Sequence, residues 1–422
     1  MELNAFSAVF LVVLYATLAL QLWLNHRQRR HLARSTEEVP ELLREKLTRH
    51  DFRRVTNYGI EHNRITDPEW VIASLLPLWW SLGGGIDLMV GWLGKEPGVL
   101  AGTAAILGVL VLNALVMLPI RAWRHFEVDL AYGFSRQSLA EWMVCRLKSG
   151  IGLIVLGGPL VLAALSVIMH TVAWWFWLWL LWLTLLVTAY WFAPRLLPVD
   201  FHRLMPLPDG EAHEQDQGPG TTSGASPAPN QGRPAPQHGS KSHVLLEWLG
   251  DYKGRRAAFE LRDRLTPDAA AAVLAHELNH HRRSYLRRRL IVSGLGSLLG
   301  LTLLAWLADN PSFHTGLGVS DPAPWTMLLL LLLIGPVCAR ALLQPMENLL
   351  AQRTVYDQDR HIAHQVGADV LETALIRRYR DNGLALTADP PYTVLNSTYP
   401  PLRKRIEALR AEHPSAGVPN RG

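Results

Sequence analysis

Long apolar runs alternate with polar, arginine-rich segments along the chain. Seven runs are long enough to cross a bilayer, which takes about 20 helical residues at about 1.5 Å each. They cover residues 5–24, 71–94, 98–120, 149–170, 172–193, 290–308 and 325–343. The pattern predicts an all-α multi-pass membrane protein with seven transmembrane helices. No cationic residue precedes the first run, so we interpret it as a retained helix and not as a cleaved signal peptide.

Positive charge is concentrated on one side of these runs. Lys and Arg stay in the cytoplasm more readily than they translocate. The segments after the first, third, fifth and seventh runs are Arg-rich, and the opposite loops contain a single basic residue, Lys95. This asymmetry predicts an outward N-terminus and a cytoplasmic C-terminus, and the Arg-rich loops fit a bacterial cytoplasmic (inner) membrane. It also accounts for the net charge of +5, so we expect the lipid bilayer and no nucleic acid as a partner.

One segment, residues 209–241, is rich in Gly, Pro, Ser and Gln and is predicted to be a disordered linker. It is one of five predicted units. The first five spans with their loops occupy 1–208, and a catalytic segment at 242–289 follows the linker. Spans six and seven occupy 290–343, and cytoplasmic helices at 344–422 complete the chain. The two cysteines, Cys145 and Cys338, are too few for a disulfide framework.

The strongest chemical motif is H-E-x-x-H, from His276 to His280. Thr266 and Pro267 are favourable residues for a helix start shortly before it. Residues four apart lie on one helix face, so both imidazoles can hold one zinc ion while Glu277 takes a proton from the attacking water. The motif predicts metal-assisted amide hydrolysis, with His276 and His280 as ligands and Glu277 as the general base.

Several further segments resemble the integral-membrane zinc metallopeptidases of the CAAX prenyl protease type. They are Leu118-Pro119-Ile120, Phe126–Asp129, Gly133–Ser138, Met205–Glu211, Leu265–Asp268 and Ser397–Ile406. The resemblance implies a barrel of seven helices around an intramembrane chamber, with a small zinc-protease domain at its cytoplasmic end. It also implies a hydrophobic or lipidated peptide as substrate.

The sequence departs from this family at the third zinc ligand, a Glu in an E-x-x-A-D stretch preceded by Ser-Arg. The matching residues here are 352–363, and anchoring on Arg353 places Tyr356 at the ligand position and Arg360 at the family's Asp. A shift of one residue brings Asp357 into the ligand place, and carboxylate is a far commoner zinc ligand than phenol. We therefore predict Asp357 as the third ligand, with Asp359 and Tyr356 as alternatives.

Two other segments bear on substrate handling. Residues 242–250 resemble the edge strand on which the family's substrate peptide lies by strand addition, with His243 in place of an Asn. His243 and Val244 are therefore predicted substrate contacts. Tyr399 stands where the family usually has a His, and by hypothesis its hydroxyl stabilises the oxyanion.

Two other functions remain open at this point. A membrane quality-control protease shares the zinc motif, although seven spans argue against it. A chamber that binds hydrophobic peptides after losing turnover is the second alternative, favoured by Tyr356 and Arg360.

Overall fold

The chain folds as a series of helices with four short strands in the computed structural model. The structure describes residues 4–36, 39–94, 97–135, 137–196, 205–206, 231–232, 244–249, 254–259 and 283–412. The motif residues His276, Glu277 and His280 lie outside these ranges, as does His243.

The N-terminal half contains the first group of helices and one π-helical turn, Arg124–Asp129. The helices are α1 (Ala5–Ser35), α2 (Glu41–Arg44), α3 (Arg49–Trp80), α4 (Gly85–Leu93), α5 (Val99–Val116), α6 (Leu118–Trp123), α7 (Leu139–His170) and α8 (Trp174–Leu196).

The C-terminal half begins after two short antiparallel sheets. Strand β1 (Met205–Pro206) pairs with β2 (Gln231–Gly232), and β3 (Val244–Leu249) pairs with β4 (Gly254–Phe259). The helices that follow are α9 (Arg283–Ala308), α10 (Pro311–Gly316), α11 (Pro324–Leu342), α12 (Gln344–Val366), α13 (Ala368–Asn382), α14 (Pro390–Asn396) and α15 (Leu402–Glu412). The all-α prediction therefore needs these two small sheets added, and β3 falls within the edge strand expected at residues 242–250.

Each predicted apolar run is largely helical in the structure, and the run at 71–94 is broken at residues 81–84. Within the described ranges, five helices are long and apolar enough to span a membrane: α1, α5, α7, α11 and the part of α9 at Leu290–Ala308. Helices α3 and α4 pass the same test as a pair bent by 46°. The apolar part of α8, Trp174–Thr188, is shorter than a full span. The multi-pass membrane architecture is confirmed, and the count of seven spans stays a prediction.

The bend between α3 and α4 follows from local sequence. Residues Ser81 to Gly84 interrupt the helix, and Gly84 adopts a left-handed conformation with φ of 77°. A side chain at the preceding Gly83 would lie 2.5 Å from the Trp79 carbonyl oxygen. Adjacent glycines therefore permit a tight break that an L-residue would strain.

Helices α1 and α7 are longer than the apolar runs that predicted them. Helix α1 continues through its polar, Arg-rich end to Ser35, and α7 begins at Leu139. The start of α7 is fixed by a capping box, in which Ser138 accepts a hydrogen bond from the Glu141 backbone N–H and the Glu141 carboxylate accepts one from the Ser138 N–H. Hydrophobicity marks the bilayer-crossing part of a helix, whereas caps and propensity set its ends.

Two apolar cores result. The membrane core joins buried residues of α3, α5, α7 and α11, among them Trp80, Ile106, Leu165 and Leu329. The second core, named the cytoplasmic core after the predicted orientation of the chain, joins α2, the first half of α3, the π-helical turn and helices α12, α13 and α15. Helix α12 enters the cytoplasmic core directly after the last span, α11, and carries the predicted third ligand.

Candidate active site

Helix α12 has one buried face and one exposed face. Asn348, Val355 and Ile362 are buried on the side that meets the cytoplasmic core and α14. Arg353 and Asp357 are exposed on the other side. The three candidate ligands Tyr356, Asp357 and Asp359 therefore occupy different environments although they lie within one helical turn.

Asp359 is buried and fully engaged by a cation. It is 2% exposed, and its two carboxylate oxygens accept hydrogen bonds from Arg405 Nε at 2.7 Å and Nη2 at 2.5 Å. Arg405 also donates to the Tyr379 hydroxyl at 3.1 Å, which in turn donates to the Pro400 carbonyl at 2.7 Å. Removing Asp359 from this pair would leave a buried cation without its carboxylate, which costs about 3–5 kcal/mol.

The electrostatics of Arg405 are consistent with a permanent ion pair. Burial alone would lower the pKa of Arg405, but the facing Tyr379 and Asp359 outweigh it and raise the pKa well above its usual value. The guanidinium thus stays charged at all physiological pH values. Asp359 is a structural residue in this arrangement, and its role as a zinc ligand is not supported by these contacts.

Asp357 is the accessible carboxylate of the three candidates. Its side chain is 69% exposed, and Arg360 Nη1 lies 3.8 Å from its Oδ1. Arg360 also pairs with Glu412 at the end of α15. At about 100° per residue, Asp357 points about 160° away from Asp359 around the axis of α12.

Tyr356 lies between these two faces. It is half-buried, and burial together with the nearby Tyr379 raises its pKa, so the phenol stays protonated at neutral pH. Its direction differs by about 60° from that of Asp359.

Tyr399 belongs to a segment that packs on the Asp359 side of α12. The Ser397 hydroxyl donates to the Tyr399 carbonyl at 2.6 Å, and the adjacent Pro400 carbonyl is held by Tyr379. Gln352 of α12 donates to the carbonyl oxygens of Thr393 at 2.9 Å and Ser397 at 2.7 Å. The segment that holds Tyr399 therefore packs on the side of α12 that carries Gln352, about 140° around the helix axis from Asp357.

The remaining predicted site residues are described in part or not at all. Val244 begins β3, where its backbone pairs with Phe259. Among the residues that the structure describes, no group of three or more His, Cys, Asp or Glu side chains could hold a metal ion. The predicted zinc site takes His276 and His280 from outside the described residues, and two imidazoles with one carboxylate are a donor set that zinc accepts.

Sequence reasoning missed the residues that organise this region. Arg405, Tyr379, Asn348 and Gln352 act through contacts with residues between 21 and 47 positions away in the sequence. One signal was available in the sequence. Gln352 stands where the family has a Ser, and its longer amide side chain can reach hydrogen-bond partners that a serine hydroxyl cannot.

Comparison with known proteins places the chain in a class of helical multi-pass membrane proteins. Residues 28–198 match the family described as CAAX prenyl protease N-terminal, five membrane helices, and residues 258–413 match peptidase family M48. The crystal structure of Ste24p from S. mikatae superposes with a TM-score of 0.83 at 18% identity, covering 97% of this chain and all of that one. The fold is therefore the Ste24p fold, a helical membrane chamber.

Full-length relatives narrow the class to a family. The chain is 24% identical to the CAAX prenyl protease 1 homolog of Arabidopsis thaliana, over 96% of each chain. It is 23% identical to CAAX prenyl protease 1 of Saccharomyces cerevisiae, over 93% of each chain. The two family matches together cover more than half of the chain. The protein belongs to the CAAX prenyl protease family of membrane zinc metallopeptidases.

These findings confirm the resemblance inferred from the sequence motifs. They support an integral membrane metallopeptidase. The relatives named here come from a plant and a yeast, so they lend no support to the predicted bacterial membrane.

Proposed function

We propose that the protein is a zinc metalloendopeptidase that cleaves a hydrophobic or lipidated peptide at the cytoplasmic end of a seven-helix membrane chamber. The observation that carries the proposal is the H-E-x-x-H motif, His276 to His280, within the stretch that matches peptidase family M48. The charge asymmetry of the loops supports a site that faces the cytoplasm. The names of the relatives support a prenylated peptide as the substrate class.

Three residues would hold the metal and one would move the proton. His276 and His280 are the proposed imidazole ligands, and Asp357 is the proposed third ligand. When bound, zinc supplies Lewis-acid polarisation of the scissile carbonyl and lowers the pKa of water. Glu277 accepts the proton of the attacking water and delivers it to the leaving amine. His243 and Val244 are proposed to bind the substrate backbone at the strand edge.

The choice of third ligand also decides the role of Tyr399. Asp357 is proposed because its carboxylate is accessible, whereas Asp359 is committed to Arg405. With Asp357 as the ligand, Tyr399 lies on the far side of α12 and Tyr399→Phe leaves turnover unchanged. With Tyr356 as the ligand, Tyr399 shares the site, and the same substitution lowers turnover by about tenfold or more through loss of an oxyanion donor.

Zinc content and peptide cleavage measured on the same samples test the proposal. Wild-type protein is expected to hold one equivalent of zinc, and Asp357→Ala is expected to lose it while Tyr356→Phe retains it. Glu277→Gln is the matched variant that should keep zinc and lose turnover by about 10²- to 10⁴-fold, because only the general base is removed. A wild type that binds no zinc even after reconstitution would refute the peptidase.

A second function follows from Tyr356 at the family's ligand position and from Asp359 being unavailable. A chamber with only two metal-binding histidines would bind hydrophobic peptides without cleaving them. Such a protein would bind a farnesylated peptide in a detergent or nanodisc assay with the same affinity before and after treatment with a zinc chelator, and it would yield no cleavage product.

A further inference from the structure

A strap, defined as residues 389–401, crosses from the membrane helices to α12. At its first end, Asp389 accepts two hydrogen bonds from the Arg27 guanidinium of α1, at 3.0 and 3.2 Å. The Asp389 backbone N–H donates to Gln28 Oε1, also of α1, at 2.8 Å. Three residues further along the strap, the Tyr392 hydroxyl donates to Asn63 of α3 at 2.9 Å. The first end is thus fixed to both α1 and α3.

The other end of the strap is fixed to α12. Gln352 donates to the Thr393 and Ser397 carbonyls, and Asn348 donates to the Leu395 carbonyl at 2.8 Å. The last carbonyls of a helix have no partner within the helix, so these two amides satisfy acceptors at the C-terminal end of α14. Asn348 and Gln352 are four residues apart and therefore share one face of α12.

The strap is a short rigid connection between these two ends. Helix α14 has seven residues and spans about 10 Å. Its first turn is closed by Thr393, whose backbone N–H and hydroxyl both donate to the Asp389 carbonyl. Asp389, which binds Arg27, and Thr393, whose carbonyl binds Gln352, are therefore joined directly by hydrogen bonds.

We propose that Arg27 is a positioning residue for the zinc site, acting through the strap on α12. Gln352 lies one helical turn before Tyr356 and Asp357. By holding Gln352, the strap fixes the position of α12 along its axis and its rotation about that axis, and therefore the position of the third ligand. Metal–ligand distances in a well-formed site lie within about 0.2 Å of their standard values, so the placement of the ligand helix matters. The inference rests on the proposed function, because it names the membrane helix that orients the proposed ligand helix.

Neighbouring arginines on α1 provide a matched comparison. Arg27 binds the strap, whereas Arg29 binds Asp67 of α3 at 2.7 Å, where Asn25 also donates to the same carboxyl group. Both are charged side chains at the same end of one helix, and both form ion pairs. Only Arg27→Gln removes a contact with the strap, while Arg29→Gln removes a contact between α1 and α3.

The experiment measures zinc affinity by chelator competition, with kcat and KM for a prenylated peptide, on the full-length protein in nanodiscs. Gln352→Ala is expected to weaken zinc binding and kcat by about tenfold, as for residues that orient metal ligands. Arg27→Gln is expected to lower both by about threefold, the size of one net hydrogen bond, with KM unchanged. Arg27→Lys, which keeps the charge, should recover part of the loss, and Arg29→Gln should match the wild type.

The proposal would be overturned if Arg27→Gln and Arg29→Gln changed zinc affinity and kcat equally. It would also be overturned if Arg27→Gln lowered the melting temperature without changing zinc affinity or kcat. If the wild type binds no zinc, the proposed function fails. The connection from Arg27 through the strap to α12 is then tested separately by amide hydrogen exchange. Faster amide exchange in α12 of Arg27→Gln, and not of Arg29→Gln, would then support the mechanical connection. Identical exchange in the two variants would refute it.

Discussion

The membrane core and the cytoplasmic core use different contacts to exclude solvent. In the cytoplasmic core, buried charges are paired. Glu372 is 1% exposed and binds Arg410 at 2.8 Å and Lys46 at 3.3 Å, and Asp359 binds Arg405. In the membrane core, close packing prevails. Gly102 of α5 allows Leu165 and Trp325 to approach its backbone, and a Cβ there would lie 2.9 Å from Leu165.

The exposed faces of the helices around the two cores also differ in polarity. Leu156 of α7 and Trp306 of α9 are 69% and 72% exposed, as expected for side chains that meet lipid. Exposed residues of α12 and α15 are mainly charged, for example Arg353 and Arg403. In a core surrounded by water, burial of apolar side chains distinguishes inner from outer residues. Among helices surrounded by lipid, both faces are apolar, so close helix packing distinguishes them.

The largest expected effect comes from breaking the buried ion pair of the cytoplasmic core. Arg405→Met should lower the free energy of unfolding by about 3–5 kcal/mol, because Asp359 would remain buried and unpaired. Denaturant unfolding in detergent, followed by circular dichroism, measures the change. The combined variant Asp359→Leu/Arg405→Met should recover most of the loss, and a double variant as unstable as the single one would show that packing and not charge is responsible.

Overpacking tests the membrane core. Gly102→Ala should destabilise the protein by about 1–3 kcal/mol, because its Cβ would press on Leu165 and Trp325. Gly108→Ala in the same helix is the control, since no atom lies within 4 Å of its added Cβ. That control should be neutral or stabilising by roughly 0.5–1 kcal/mol through higher helix propensity. Thermal unfolding of the two variants should give opposite shifts, and equal shifts would count against close packing at Gly102.

A single buried hydroxyl provides an intermediate case. Ser7 of α1 donates to the Gly316 carbonyl at 2.6 Å, and Ser7 is 1% exposed. Ser7→Ala should reduce stability by about 1–3 kcal/mol, because the buried carbonyl loses its side-chain donor. Ser35→Ala, which removes a hydroxyl bonded only within α1, serves as control. Indistinguishable unfolding midpoints for Ser7→Ala and Ser35→Ala would contradict the expectation.

The smallest change in stability is expected at Arg403, two residues before Arg405 in the sequence. Arg403 of α15 donates to Glu407 at 2.7 Å, and both side chains are exposed. Arg403→Ala should change stability by no more than about 0.5 kcal/mol, since exposed i,i+4 pairs contribute little. The same unfolding assay applies, and a loss comparable with that of Arg405→Met would erase the distinction between paired charges in the core and on the surface.

Much of the fold could be predicted from the sequence because lipid imposes a simple rule. A chain that crosses a bilayer must satisfy its backbone hydrogen bonds internally, so each long apolar run becomes a helix. Helix ends were less predictable. Helix α1 continues to Ser35 through polar residues with good helix propensity, which carry no hydrophobic signal.

Within the candidate site, the sequence predicts residues most directly at the local H-E-x-x-H motif, which lies outside the described residues and stays a prediction. His276, Glu277 and His280 follow from spacing on one helix face. Asp357 was ranked above Asp359 by its place in the family alignment, whereas the structural difference between them arises from Arg405, 46 residues away from Asp359. Long-range pairing of this kind depends on how α15 packs on α12, which no local pattern specifies.

The Ser7 contact has a consequence for biosynthesis. Its two residues are 309 positions apart, and ribosomes add about 5–20 residues per second. The N-terminal end of α1 therefore waits about 15 to 60 seconds for its acceptor to be synthesised. During that time Ser7 can bond only locally, for example to Asn4 at 3.4 Å. This end of α1 thus reaches one of its final neighbours only after most of the described helices have been synthesised, which makes assembly there a late step in maturation.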